Sequence, residues 1–145
     1  VNIEAVQQLT LLLVCENNQL AGNVRENVNL PVSRVNHRAA AYGIAASYTD
    51  GNDIEAVTTA ASKAIAYVRE NQRPFLLECD TTRLGRHKQG MGDIRSQEEK
   101  DLLALRDPLL KEAFAPGLRE ALQAEIEAII QDVLASPNPE SEEVA

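Results

Sequence analysis

The chain has 145 residues, 44% of them hydrophobic and only 3% aromatic, enough for one modest core built from Leu, Ile, Val and Ala. A formal net charge of -8 argues against a nucleic-acid partner, because a phosphate-binding surface needs clustered Lys and Arg. No apolar stretch is long enough to cross a bilayer, and no basic segment followed by an apolar one opens the chain as a signal peptide would, so no membrane partner is expected.

In chain order, Val1 stands directly before residues that read as helix, as though the chain began inside a larger fold. Leu11 to Cys15 is a continuous apolar run ending at polar Glu16, Asn17 and Asn18, the pattern of a parallel strand covered on both faces. His37, in Asn36-His37-Arg38, reads as the start of a short helix. A short extended piece around Ser47 to Thr49 leads into the turn Asp50-Gly51-Asn52-Asp53. Ile54, Val57, Ala61, Ala64, Ile65 and Val68 then recur at helical spacing, with Asn52 and Glu55 placed as a capping box. Phe75 to Cys79, after Pro74, is a second buried strand. Strand, helix and strand with one crossover of this length make a parallel unit the default, and an α/β fold follows.

Thr81 to Ile94 is polar, basic and glycine-bearing without apolar periodicity, which predicts a long loop. Beyond Ser96, Leu102, Leu103 and Leu105 precede Asp107-Pro108, and Leu118, Leu122, Ile126, Ile129, Ile130 and Val133 form an apolar stripe at helical spacing. The expected organisation is therefore 1–95 as an α/β domain, 96–135 as a helical extension and 136–145 as an acidic, proline-bearing tail. Cys15 and Cys79 lie in apolar runs with no metal-ligand spacing, which fits a reducing compartment.

Two stretches could carry chemistry. Asn17-Asn18-Gln19 follows a buried strand, and ligands of α/β sheets bind beyond the carboxyl ends of strands. An Asn side chain there offers a neutral oxygen to Mg2+, although an Asn pair after a strand is more often a simple turn. Arg83, Arg86, His87 and Lys88 follow the second buried strand at the same edge, a composition suited to a diphosphate or, more blandly, to a solvated loop. Dinucleotide-binding glycine repeats, a Walker loop and a nucleophile elbow are absent from the sequence.

Val-Cys-Glu-Asn-Asn-Gln (14 to 19), Arg-Ala-Ala-Ala-Tyr-Gly (38 to 43), Asp-Gly-Asn-Asp (50 to 53), Thr-Arg-Leu-Gly-Arg-His (82 to 87), Arg-Asp-Pro-Leu (106 to 109) and Ala-Ser-Pro-Asn-Pro (135 to 139) occur in the order of one family. The chain resembles the carboxy-terminal half of the alpha subunit of thiamine-diphosphate-dependent pyruvate, branched-chain 2-oxo acid and acetoin dehydrogenases. The resemblance implies a partial thiamine-diphosphate-binding fold and, as cofactors, thiamine diphosphate and Mg2+. It makes Asn18 a side-chain ligand and Leu20 a backbone ligand of the metal, and both part of the cofactor site. It matches His87 to the active-site loop, beside the diphosphate and the substrate channel. The family's Gly-Asp-Gly, upstream of the Asn pair, does not occur in this sequence. The implied partners are a beta subunit in an alpha2beta2 assembly, which brings the glutamate that activates the cofactor, a lipoyl-bearing acyltransferase, and a 2-oxo acid or acetoin as substrate. The implied compartment is the bacterial cytoplasm or the mitochondrial matrix.

Departures from the pattern are Leu20 in place of Tyr, Arg86 in place of a small residue or His, and Lys88 where mitochondrial members carry a phosphorylated Ser. The rival reading is a non-catalytic fragment that serves subunit association through its helix faces.

Overall fold

In a computed structural model, residues 1–29, 34–111 and 115–137 are described. Two compact units divide the chain, 1–111 and 112–145. The first holds α1 (Asn2–Val6), β1 (Leu12–Asn17), β2 (Leu20–Ala21), β3 (Val24–Arg25), α2 (Glu26–Asn29), a 3-10 helix (Val35–Tyr42), β4 (Ala45–Asp50), α3 (Ile54–Asn71), β5 (Phe75–Asp80), α4 (Gln97–Ala104) and α5 (Pro108–Lys111). In the second unit the described element is α6 (Leu118–Ala135), which contains the whole predicted apolar stripe. The tail predicted for 136–145 lies outside the described residues from position 138 onward.

β5 is the centre of a three-stranded parallel sheet in the order β1-β5-β4. A parallel strand covered on both faces carries apolar side chains on each, and Leu76, Leu77 and Cys79 of β5 are all buried. Ala39, Ile44 and Leu76 form the core cluster, packed by Leu13, Val35 and Ala46. The register sets Asn17 of β1 and Asp50 of β4 on either side of Asp80, so three polar residues end the sheet in one row.

The α/β reading and the three strands are as the sequence implied. β1 continues past the apolar run to Asn17, because Glu16 and Asn17 still pair with Cys79 and Asp80. α3 joins β4 to β5 and buries Ala64 and Val68, while Ile54 and Ile65 remain exposed.

The predicted capping box is corrected. Asp53 caps α3, its carboxylate accepting from the Ala56 amide at 2.9 Å. Asn52 is buried and committed elsewhere: its Nδ2 donates to the Asp80 carbonyl at 3.1 Å and its Oδ1 accepts from the Thr82 amide at 3.1 Å. This crossing is possible because Gly51 has no side chain. A Cβ there would lie 2.6 Å from the Thr81 methyl and 3.0 Å from the Asp80 carbonyl oxygen. The turn after β4 is thus sewn to the end of β5, where the long loop begins.

Candidate functional site

After β1 the backbone folds back within three residues. Asn17 Oδ1 accepts from the Gln19 amide at 2.9 Å and Asn18 Oδ1 from the Leu20 amide at 3.1 Å, with Gln19 in the left-handed region at φ 59. These are two overlapping Asx turns, so the bland reading of the Asn pair is correct as local structure. Their chemistry differs. Both Asn17 amide hydrogens are used, donated to Glu26 Oε1 at 2.9 Å and Glu78 Oε1 at 2.8 Å. Each Asn oxygen uses one of its two lone pairs in its own turn, so what sets Asn17 apart is the commitment of its Nδ2.

Asn18 and Leu20 line an open cavity of about 760 Å3 at the carboxyl end of the sheet, together with Tyr48, Asp80, Thr82 and Arg83. Its acidic groups are engaged. Asp80 accepts from the Tyr48 hydroxyl at 2.9 Å and from Gln19 Nε2 at 3.3 Å, and Arg106 stands 3.6 Å from both Asp80 and Asp50. Glu99 takes both guanidinium nitrogens of Arg25, at 2.9 and 2.7 Å. Partial burial, with the Asp80 hydrogen bond, pushes the Tyr48 phenol above its ordinary value, and the Arg34 guanidinium lies 3.8 Å over its ring.

Arg83 is different. Its Nη1 donates to the Gly22 carbonyl at 2.8 Å, but its Nε and Nη2, and Thr82 Oγ1, are buried with no hydrogen-bond partner. Orphaned donors of this kind demand an acceptor, and Arg83, Thr82 and Asn18 line one cavity, a set of groups that suits an anionic oxygen ligand carrying a divalent cation.

The basic loop divides. Arg83 enters the cavity wall, whereas Arg86, His87 and Lys88 are exposed. His87 is not among the cavity-lining residues; its ring lies near the β2–β3 turn, with Cδ2 4.0 Å from where a Gly22 Cβ would stand. The structure therefore brings Asn18 and Leu20 together and sets His87 against the hairpin that carries Leu20. No group of three or more His, Cys, Asp or Glu residues poised for a metal occurs among the described residues.

Three features were missed in the sequence. The β2–β3 hairpin turns at Gly22 (φ +63), and its strands of two residues are too short for any alternation to show. Glu78 is 1% exposed in the central strand; a lone carboxylate inside an apolar run was the available signal. Arg95 is buried, bonded to Asp93 and to the carbonyls of Arg83 and Gly85, and holds the Asp93 carboxyl well below the usual range.

A family model described as dehydrogenase E1 component matches residues 1–133. The chain belongs to the dehydrogenase E1 component family. It is 27% identical to a pyruvate dehydrogenase E1 component subunit alpha of Porphyra purpurea, covering 99% of this chain and 45% of that protein. It is 31% identical to the alpha subunit of an acetoin:2,6-dichlorophenolindophenol oxidoreductase of Cupriavidus necator (99% and 47%), and 30% identical to a 2-oxoisovalerate dehydrogenase subunit alpha of Bacillus subtilis (98% and 44%). The E1 chain thus spans less than half the length of these relatives. E1 components generally depend on thiamine diphosphate. Both E1 cysteines are free, and among the described residues no helix is long and apolar enough to cross a membrane.

Proposed function

We propose that this chain forms the magnesium-diphosphate side of a thiamine-diphosphate site in the alpha subunit of a 2-oxo acid or acetoin dehydrogenase. The observation that carries the reading is the cavity in which the Asn18–Leu20 turn meets the orphaned donors of Arg83 and Thr82. Asn18 Oδ1 and the Leu20 carbonyl are the oxygen ligands for Mg2+, which prefers a few protein oxygens completed by phosphate and water. Arg83 gives its two free nitrogens to the diphosphate or to the substrate carboxylate, and His87 serves the reacting end. Bound thiamine diphosphate supplies the carbon nucleophile for cleaving a 2-oxo acid or acetoin. A beta subunit closes the opposite wall in an alpha2beta2 assembly, and a lipoyl-bearing acyltransferase receives the acyl group. The free Cys15 and Cys79 accord with a reducing compartment, the cytoplasm or the mitochondrial matrix.

A half-site makes a weak binder. Calorimetric titration of the 145-residue chain with thiamine diphosphate and Mg2+ is expected to show no sub-micromolar binding, whereas the full alpha2beta2 assembly binds tightly and only with Mg2+. Tight binding by the chain alone rules out the half-site, and metal-independent binding by the assembly rules out the Asn18 and Leu20 assignment.

A further inference from the structure

Glu78 is the most deeply buried charged side chain among the described residues, 1% exposed, and no ion pair reaches it. A carboxylate in such a place is costly unless each oxygen is well supplied with donors. Here Oε1 accepts from Asn17 Nδ2 at 2.8 Å and from the Val35 amide at 3.1 Å, and Oε2 accepts from the Asn36 amide at 2.7 Å. Val35 and Asn36 open the 3-10 helix, whose N-cap residue, Arg34, makes no side-chain cap of its own. A strand residue more than forty positions away in sequence thus caps this helix, where negative charge is favoured.

The other branch runs through Asn17. Its amide spans Glu78 and Glu26, and its oxygen holds the Gln19 amide in the turn that presents Asn18 and Leu20. Since both amide hydrogens go to carboxylates, the amide has one orientation, and its oxygen must face Gln19. The end of β1, the end of β5 and the start of the 3-10 helix therefore meet on one carboxylate.

The geometry points to Glu78 as the positioning residue of this site: through Asn17 it fixes the Asn18–Gln19–Leu20 turn relative to the helix entry. The inference rests on the proposed function only for what the turn binds.

The test uses the full alpha2beta2 assembly carrying Glu78→Gln, Asn17→Ala or both. Glu78→Gln keeps the shape but puts an N–H where an oxygen received one, so the fork fails at one arm. Two quantities are read: the Kd for thiamine diphosphate at fixed Mg2+, and cofactor-free hydrogen exchange at Gln19, Leu20, Val35 and Asn36. Each single change is expected to weaken binding by about tenfold, as loss of a charge-assisted hydrogen bond does. The double variant is expected to be no weaker than the worse single one, because both break the same chain of contacts. Exchange at Gln19 and Leu20 quickens in both single variants, and at Val35 and Asn36 in Glu78→Gln.

An unchanged Kd in Glu78→Gln, losses that multiply in the double variant, or exchange that quickens across the whole 1–111 unit overturns the inference. Asn17 is only half-buried, so Asn17→Ala stands as the second probe if Glu78→Gln fails to fold; a normal Kd there overturns the inference by itself. If the unaltered assembly shows no Mg2+-dependent binding, the functional reading fails. The cofactor-free exchange then still decides the role of Glu78.

Discussion

Arg95→Met is expected to destabilise the 1–111 unit by about 3 kcal/mol, the range found when one partner of a buried charged network is removed. Arg95 is 5% exposed, and its guanidinium reaches Asp93 through Nε and Nη2, the Arg83 carbonyl through Nη1 and the Gly85 carbonyl through Nη2. Methionine fills part of the volume but leaves two loop carbonyls without the guanidinium and the Asp93 carboxylate with only the backbone amide of residue 95. Lysine cannot repair this, since one ammonium does not span a planar fork of contacts.

The pH dependence has a definite sign. Folding lowers the Asp93 pKa below the ordinary Asp value, chiefly through the Arg95 hydrogen bonds. The resulting stability is fully present above the unfolded-state pKa, about 3.9, and is lost as pH falls through it toward the folded value. Thermal melts of the parent subunit should therefore show a gap between wild type and Arg95→Met that is wide at neutral pH and narrows in acid. A gap independent of pH would leave the carbonyl contacts alone as the source of the effect.

The elements that were legible in the sequence are those built by burial. β1, β5 and α3 announce themselves because an apolar run or a helical period is the direct signature of a covered strand or an amphipathic helix. What the sequence hides is which polar group a backbone atom will choose. Asn52 and Asp53 are both good caps, and Asp53 caps α3 because the close approach of Gly51 to Asp80 draws Asn52 across to β5. Arg95 is hidden for a similar reason, since half of its guanidinium hydrogen bonds go to loop carbonyls that no side-chain pattern encodes.

The site shows the same division. Asn18 and Asn17 are equivalent as residue types after a strand, and each oxygen accepts one backbone amide, but both Nδ2 hydrogens of Asn17 are committed to Glu26 and Glu78. Residue type and spacing could not separate them. The family resemblance is what singles out Asn18 as a ligand; the hydrogen bonds show Asn17 tied to two carboxylates. By composition the basic loop suits an anionic ligand or is simply solvated, and Arg83 alone of its charged members enters the cavity wall, its Nη1 anchored on the Gly22 carbonyl.

In the reconstituted parent enzyme, Asn18→Ala and His87→Ala are expected to fail in different ways. Losing Asn18 removes a proposed Mg2+ oxygen ligand and the hydrogen bond that closes the turn onto the Leu20 amide. The loss therefore falls on cofactor affinity, by about 10- to 100-fold, and excess Mg2+ and thiamine diphosphate restore part of the rate. Asn18→Asp is the control: it keeps an oxygen for both metal and amide, and should recover most of the affinity. His87 is assigned to the reacting end, where a positioned donor typically contributes ~10² to 10⁴ in rate. Its loss should then persist at cofactor saturation. The exposed place of His87 beside Gly22, outside the cavity lining, makes this the sharper test of the two. Steady-state kinetics at saturating cofactor decide it. A near-normal kcat for His87→Ala would remove the imidazole from the chemistry and make it a packing residue of the β2–β3 turn, leaving Asn18 and Arg83 as the residues of this chain that meet the cofactor.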